Sequence, residues 1–268
     1  MLKFYRRIRF DLLERSKTGK YFKYAIGEIV LVVIGILIAL SLNTWNTNRL
    51  NRIEEVQLLK QLKIELLQNQ EKLTAKEKLR TRTIKSSLRV LALIDDPSII
   101  KDPDEIDHHL ANMIPNYTFD PSEGIIAQLL EGGKLSLIQN DRLRYDLSKW
   151  SSMLAELAEE EQDFKTHNFQ TLRPILFKNY AFRNILNKTW DDSVLNSVLL
   201  SDDIKDFDGF GKSPLKIDLD KLFTSHEFEG AITSLSSFNI VINIQSQGVN
   251  NYISEMLKII NSELAANP

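Results

Sequence analysis

The residues able to do chemistry form a short inventory. His108 and His109 are the one adjacent imidazole pair. Neighbouring side chains on a helix diverge by about 100°, so these two rings make a poor metal pair without ligands from elsewhere. His167 and His226 stand alone, and a surface or helix-terminal place is expected for all four. Glu131-Gly132-Gly133-Lys134 carries the glycines and lysine of a phosphate loop. It lacks the G-x-x-x-x-G-K-[ST] spacing, and Leu135 stands where a hydroxyl is required, so a helix C-cap and a turn are expected instead. Glu159, Glu160, Glu161 and Asp163 read as a solvated face. Asp202, Asp203, Asp206 and Asp208 run up to Gly209 in the manner of a calcium loop, but no Glu follows at its twelfth position. No serine lies in G-x-S-x-G, and the chain has no cysteine, which excludes thiolate metal sites and disulfides. The expectation is therefore no enzyme, with no catalytic residue, cofactor or metal site.

What the sequence does place is a boundary between solvents. Tyr24–Asn46 reads YAIGEIVLVVIGILIALSLNTWN. Its apolar run, from Tyr24 to Trp45, covers roughly 33 Å as a helix, enough to cross a hydrocarbon core. Residues 1–23 hold eight Lys or Arg against Asp11 and Glu14, while everything after Trp45 holds 26 basic and 33 acidic residues. By the positive-inside rule the N-terminus stays in the cytoplasm and the body is exported. Arg6, Arg7, Arg9, Lys20, Lys23 and Trp45 are the expected membrane-interface residues. The head, with Tyr5, Ile8 and Leu12 on one helical face, is either an amphipathic segment lying on the anionic inner leaflet or a topology signal alone. An uncleaved anchor is expected. Cleavage after Ala39-Leu40-Ser41 is the competing reading.

One carboxylate interrupts the span. On a helix Glu28, Gly35, Ala39 and Asn43 fall within about 80° of one another, a stripe of small and polar groups on an Ile/Leu/Val surface. Gly35-x-x-x-Ala39 permits close approach of another helix. Glu28 either reaches the headgroups or Lys20 and Lys23, faces a partner helix, or carries an ion as in stator-type subunits.

The string KYFKYAIGEIVLVVIGILIALSLNTWNTNR, behind a short basic head, resembles the opening of an uncharacterised Bacteroidota-type family catalogued as domain of unknown function 6090. A second run, IIAQLLEGGKLSLIQNDRLRYDLSKW, is similar to that family's other recurring feature through Leu130, Gly133, Leu135, Leu137, Ile138, Asn140, Leu143 and Arg144. The resemblance implies a single-span inner-membrane protein with a periplasmic helical body. It implies no activity, so no functional residues are carried over.

The rest reads as all-α. No Gly or Pro occurs from Ile36 to Asp96, which favours one helix leaving the membrane. Val56, Leu59, Leu62, Leu66, Leu73, Ile84, Leu88 and Leu91 form its apolar stripe, interrupted near Asn69 and Lys76. Further helices are expected over Pro103–Met113, from Asp120 or Ser122 to Gly132-Gly133, over Asp141–His167, Leu172–Leu186 and Ser193–Leu200, and finally near His226–Gln245 and Asn250–Leu264, parted by Gly248. NIVINI is assigned to helix despite its β-branched residues. The expected division is a basic head (1–23), a transmembrane helix (24–45), a stalk that becomes the first bundle helix (46–96) and an antiparallel helical domain (97–268).

These features point to a non-enzymatic scaffold or accessory subunit of an envelope complex. Expected partners are the lipid bilayer and either a second copy or another envelope protein, met through the span and stalk; nucleic acid is not expected. The alternatives are a periplasmic ligand sensor signalling through a partner and an ion-coupled stator-like subunit using Glu28.

Overall fold

A computed structural model describes residues 18–100, 102, 104–190 and 208–266. The head residues Arg6, Arg7 and Arg9, the expected helix at Ser193–Leu200 and the aspartates 202, 203 and 206 lie outside them. Every regular element among the described residues is helical, as the sequence predicts. The chain divides into two compact units, Met1–Leu58 and Leu59–Pro268.

Helix α1 runs without a break from Thr18 to Asp95. The sequence supplies no proline or mid-helix glycine pair to stop it until Asp96-Pro97, where Asp96 caps a short 3-10 turn through the Ser98 N–H at 3.1 Å. In the first unit α1 contains the one described helix long and apolar enough to cross a membrane, and its apolar window is unburied. Trp45 at the end of that stretch is 64% exposed.

In the second unit α1 contributes the core residues Leu59, Leu62, Leu66, Leu73, Leu79, Val90 and Leu93. The stripe drawn from the sequence fails beyond Leu73. Leu88 is 55% exposed, and the buried face carries Arg80, Thr83, Ser86 and Ser87 instead. Apolar spacing alone misplaces this face because the interior it meets is polar.

Helices α2 (Glu105–Ala111) and α3 (Gly124–Leu130) are short. Gly133 closes the turn after α3 in the left-handed region at φ 69°, where a β-carbon is strained. Helix α4 (Asp141–His167) starts and stops where expected: Asn140 Oδ1 accepts from the Leu143 N–H at 3.0 Å.

The single helix expected over Leu172–Leu186 is two. A wide π turn, Asn168–Leu172, precedes α5 (Arg173–Asn179), and Pro174 removes one N–H from the ladder there. Tyr180 then turns extended, with φ −138° and ψ 159°, before α6 (Phe182–Trp190). Its hydroxyl donates to Asp107 Oδ1 at 2.7 Å, a tertiary bond that the local sequence does not announce.

After the short α7 (Leu219–Phe223), helix α8 runs from His226 to Ala266. This corrects the break expected at Gly248. A helical glycine costs about 1 kcal/mol, less than burial of Ser246, Val249, Ile253, Met256 and Leu257 on either side holds in place. No atom lies within 4 Å of where a Gly248 β-carbon would stand. Gly248→Ala is thus expected to raise the unfolding free energy by about 0.4–1 kcal/mol, read by urea denaturation; a lower stability would show that the open space is needed.

Candidate functional site

The interior of the second unit is organised around a charge. Arg80 is 1% exposed. Its Nη1 donates to Glu161 Oε1 and to the Tyr117 carbonyl, both at 2.9 Å. Nη2 donates to Ser246 Oγ at 2.6 Å and Nε to Asn243 Oδ1 at 3.0 Å. One guanidinium therefore joins α1, α4, α8 and the chain between α2 and α3. Glu161, expected on a solvated face, is buried, whereas Glu159 and Asp163 are exposed. Its carboxylate also accepts the Phe119 N–H, at 3.1 Å on Oε1 and 3.0 Å on Oε2. Burial pushes the Glu161 carboxyl up, opposed by the Phe119 N–H and Arg80. Burial likewise pushes Arg80 down, opposed by Glu161. Lys76 beside them is lowered by burial, against the charges of Asp120 and Glu161.

This pair is one part of a polar seam between α1 and α8. Gln70 Nε2 donates to Ser254 Oγ at 2.9 Å, Asn250 Nδ2 to Glu77 Oε1 at 2.8 Å, and Asn243 Nδ2 to Thr81 Oγ1 at 3.1 Å. Such directional bonds fix the register of two helices where interchangeable apolar contacts would not.

The same residues clamp an extended strap, Asn112–Glu123, which has no helical hydrogen bonds of its own after its first turn. Met113, Ile114, Tyr117 and Phe119 are buried, so the strap's backbone polar groups need partners. Side chains provide them. Asn168 donates to the Met113 carbonyl at 2.8 Å and Arg173 Nη2 to the Ile114 carbonyl at 2.9 Å. Asn69 pairs with both the N–H and the carbonyl of Ser122, at 2.7 and 2.8 Å. Glu65 accepts from the N–H groups of Ile125 and Ile126, at 2.9 and 3.1 Å, and so caps α3 from another helix. That corrects the local cap expected at Asp120 or Ser122. Trp150 Nε1 donates to Glu123 Oε1 at 2.9 Å and closes the strap onto α4.

A second polar region is a cleft of about 270 Å³ between α2, α6 and the loop at 208–212. Asp104, Asp107, Asn184, Asn187, Lys188 and Lys212 line it. Asn187 holds the loop through the Phe210 N–H and the Gly211 carbonyl, both at 2.8 Å. Lys188 approaches Asp104 at 3.3 Å. Asp107 is raised by burial and lowered by the Tyr180 hydroxyl. Burial and the charges of Arg82 and Lys188 lower His108, and burial lowers His109. His109 Nδ1 lies 3.2 Å from Ser86 Oγ, and His167 Nε2 lies 3.1 Å from the Ala231 carbonyl. Among the described residues no cluster of three or more His, Asp or Glu could hold a metal ion.

The membrane stripe lies on the unburied stretch of α1. Glu28, Ala39 and Asn43 are exposed on α1, and the space beside Gly35 is open to 4 Å. Lys23 is exposed, and Lys20 lies in the first turn of the helix.

Residues 28–153 match the model of a family of unknown function, DUF6090. The family resemblance read from the span and from the run after Ile125 thus holds. The DUF6090 stretch contains Arg80, the strap, Glu65, Asn69 and Trp150, while Glu161, Asn243 and Ser246 lie beyond it. Within the matched residues, the run from Ile125 to Trp150 contains a helix entry: Gly133 makes the left-handed turn, Ile138 and Leu143 are fully buried, and Asn140 caps α4. Arg144 Nη1 folds back onto the Ile138 carbonyl at 2.6 Å. No curated protein and no solved structure matches the chain.

Proposed function

We propose that this is a non-enzymatic, single-pass protein of the inner membrane. Its N-terminus is cytoplasmic, and its periplasmic body is an antiparallel helical bundle that works through protein contacts as a scaffold or accessory subunit. The observation that supports this reading is the continuity of α1. One helix carries both the unburied apolar stretch and, from Leu59 onward, the buried side of the polar interior. The buried charges serve the same reading. Arg80 and Glu161 are each committed to several protein partners, which gives them structural work.

Two measurements test it. A reporter fused behind Pro268 should be active only outside the cytoplasm, and cytoplasmic activity would reject the topology. Crosslinking in native membranes followed by capture in mild detergent should recover the chain with partners. Recovery as a lone monomer under every condition would reject the scaffold role.

The polar cleft at Asp104 and Asp107 favours one second reading, a ligand sensor signalling through a partner. In this reading a ligand in the cleft would act on the partner through the body's surface.

A further inference from the structure

The outward side of α8 differs from that of every other long helix among the described residues of the second unit. From Gly230 to Ser254, a stretch of 25 residues, α8 contains no Asp, Glu, Lys, Arg or His. About six charged residues would be expected there at the chain's own 26% frequency. The inward side of this stretch is core: Ile232, Leu235, Ile242, Val249 and Ile253 are at most 3% exposed. The outward side presents Ser234, Ser237, Gln247 and, at its middle, Ile240, Val241 and Ile244, which are 45%, 36% and 62% exposed. The outward faces of the other described helices longer than two turns in this unit carry charges. Lys60, Glu71 and Lys78 do so on α1, Lys149, Glu156 and Asp163 on α4, and Arg183 on α6.

We infer that this uncharged face of α8 is the docking surface for the same face of a second copy of the chain. Charge decides the occupant. Covering Ile240 and Ile244 with a charged helix face would strand that charge away from water, at several kcal/mol. Covering them with another uncharged face strands none, as the charge-depleted centres of protein interfaces illustrate. Among the described long helices of the body, α8 alone offers such a face, so the contact is isologous and a two-fold axis passes near Ile240–Ile244. Size sets the strength. The stretch is about 37 Å long and a helix face about 10 Å wide, giving on the order of 400 Å² per partner. That is about half of the 800 Å² that a standard stable interface buries on each side. Pairing in dilute solution is therefore weak. It becomes substantial when both copies are confined to one membrane at high effective concentration; in this respect the inference rests on the anchored reading above.

The absence of cysteine makes the test clean. Ile240→Cys and Ile244→Cys would be introduced singly into the full chain and treated in native membranes with a short, membrane-permeant bismaleimide. Ser151→Cys, on the outward charged side of α4, is the control. Covalent dimers are expected from both α8 variants and not from the control. Adding Ile244→Arg to Ile240→Cys should cut the dimer yield at least about tenfold, with the helical circular dichroism unchanged because position 244 is exposed. Equal crosslinking by the control, no dimer from either α8 variant, or a yield indifferent to Ile244→Arg would each overturn the proposal. So would protection of Ile244→Cys from a monofunctional maleimide without dimer formation, since another molecule would then cover the face. The reagent acts on either side of the membrane. A cytoplasmic Pro268 reporter with intact crosslinking would reject the topology and leave the pairing standing.

Discussion

Arg80→Ala is expected to lower the unfolding free energy of the body by about 3–5 kcal/mol, the range for removing one partner of a buried ion pair. The loss has two parts. Glu161 keeps its Phe119 N–H but becomes an uncompensated buried carboxylate, and the Tyr117 carbonyl, Ser246 Oγ and Asn243 Oδ1 lose their donor together. Arg80→Met combined with Glu161→Leu removes both charges and keeps the volume. It should recover only the part due to the stranded carboxylate, because the Phe119 N–H, the Tyr117 carbonyl, Ser246 and Asn243 still lack the partners that Glu161 and Arg80 supply. Arg89→Ala breaks a pair with Glu105 whose side chains are 32% and 18% exposed, and should cost less than about 1 kcal/mol. Urea denaturation of the full chain in mild detergent, followed by circular dichroism, ranks the three. An Arg80→Ala loss no larger than that of Arg89→Ala would mean that the charge is not confined as described.

Trp150→Ala should be comparably severe, at about 3–5 kcal/mol, since it empties the volume of a fully buried indole in α4. Trp150→Phe separates packing from the polar tip. It keeps most of the ring but leaves Glu123 without its 2.9 Å donor, and a smaller loss of about 1–3 kcal/mol is expected. The two variants should also differ in location. Trp150→Phe should speed hydrogen exchange chiefly at the strap and the start of α3, where Glu123 is the hinge between them, while Trp150→Ala should speed it along α4 as well. Uniform exchange in Trp150→Phe would show that the indole N–H does not hold the strap.

The strap explains why these two positions carry so much. Its backbone is satisfied by side chains from α1, α4 and the π turn, so it has little local reason to be extended and buried. Removing Arg80 or Trp150 frees a segment that no helix or sheet ladder would hold. This is also why the interior tolerates so many polar groups. Asn69, Asn168 and Glu161 are buried because the strap's N–H and carbonyl groups are there to meet them, and Glu65 because the first N–H groups of α3 are.

Where physics is local, the sequence by itself determined the outcome. A long apolar run forms a helix long and apolar enough to cross a membrane, the lack of Gly and Pro carries α1 to Asp95, Asn140 starts α4, and Gly133 turns the chain ahead of it. Each of these depends on residues within a turn or two of one another. The tertiary structure alone decided that Glu161 is buried while Glu159 is not, that Glu65 caps a helix some sixty residues away, that Tyr180 breaks one helix and that Gly248 does not break another. A carboxylate or an amide looks the same in sequence whether it faces water or a buried partner. Its burial becomes favourable only once folding brings up the opposite charge or the unmet N–H, and Arg80 stands 81 residues from Glu161 along the chain.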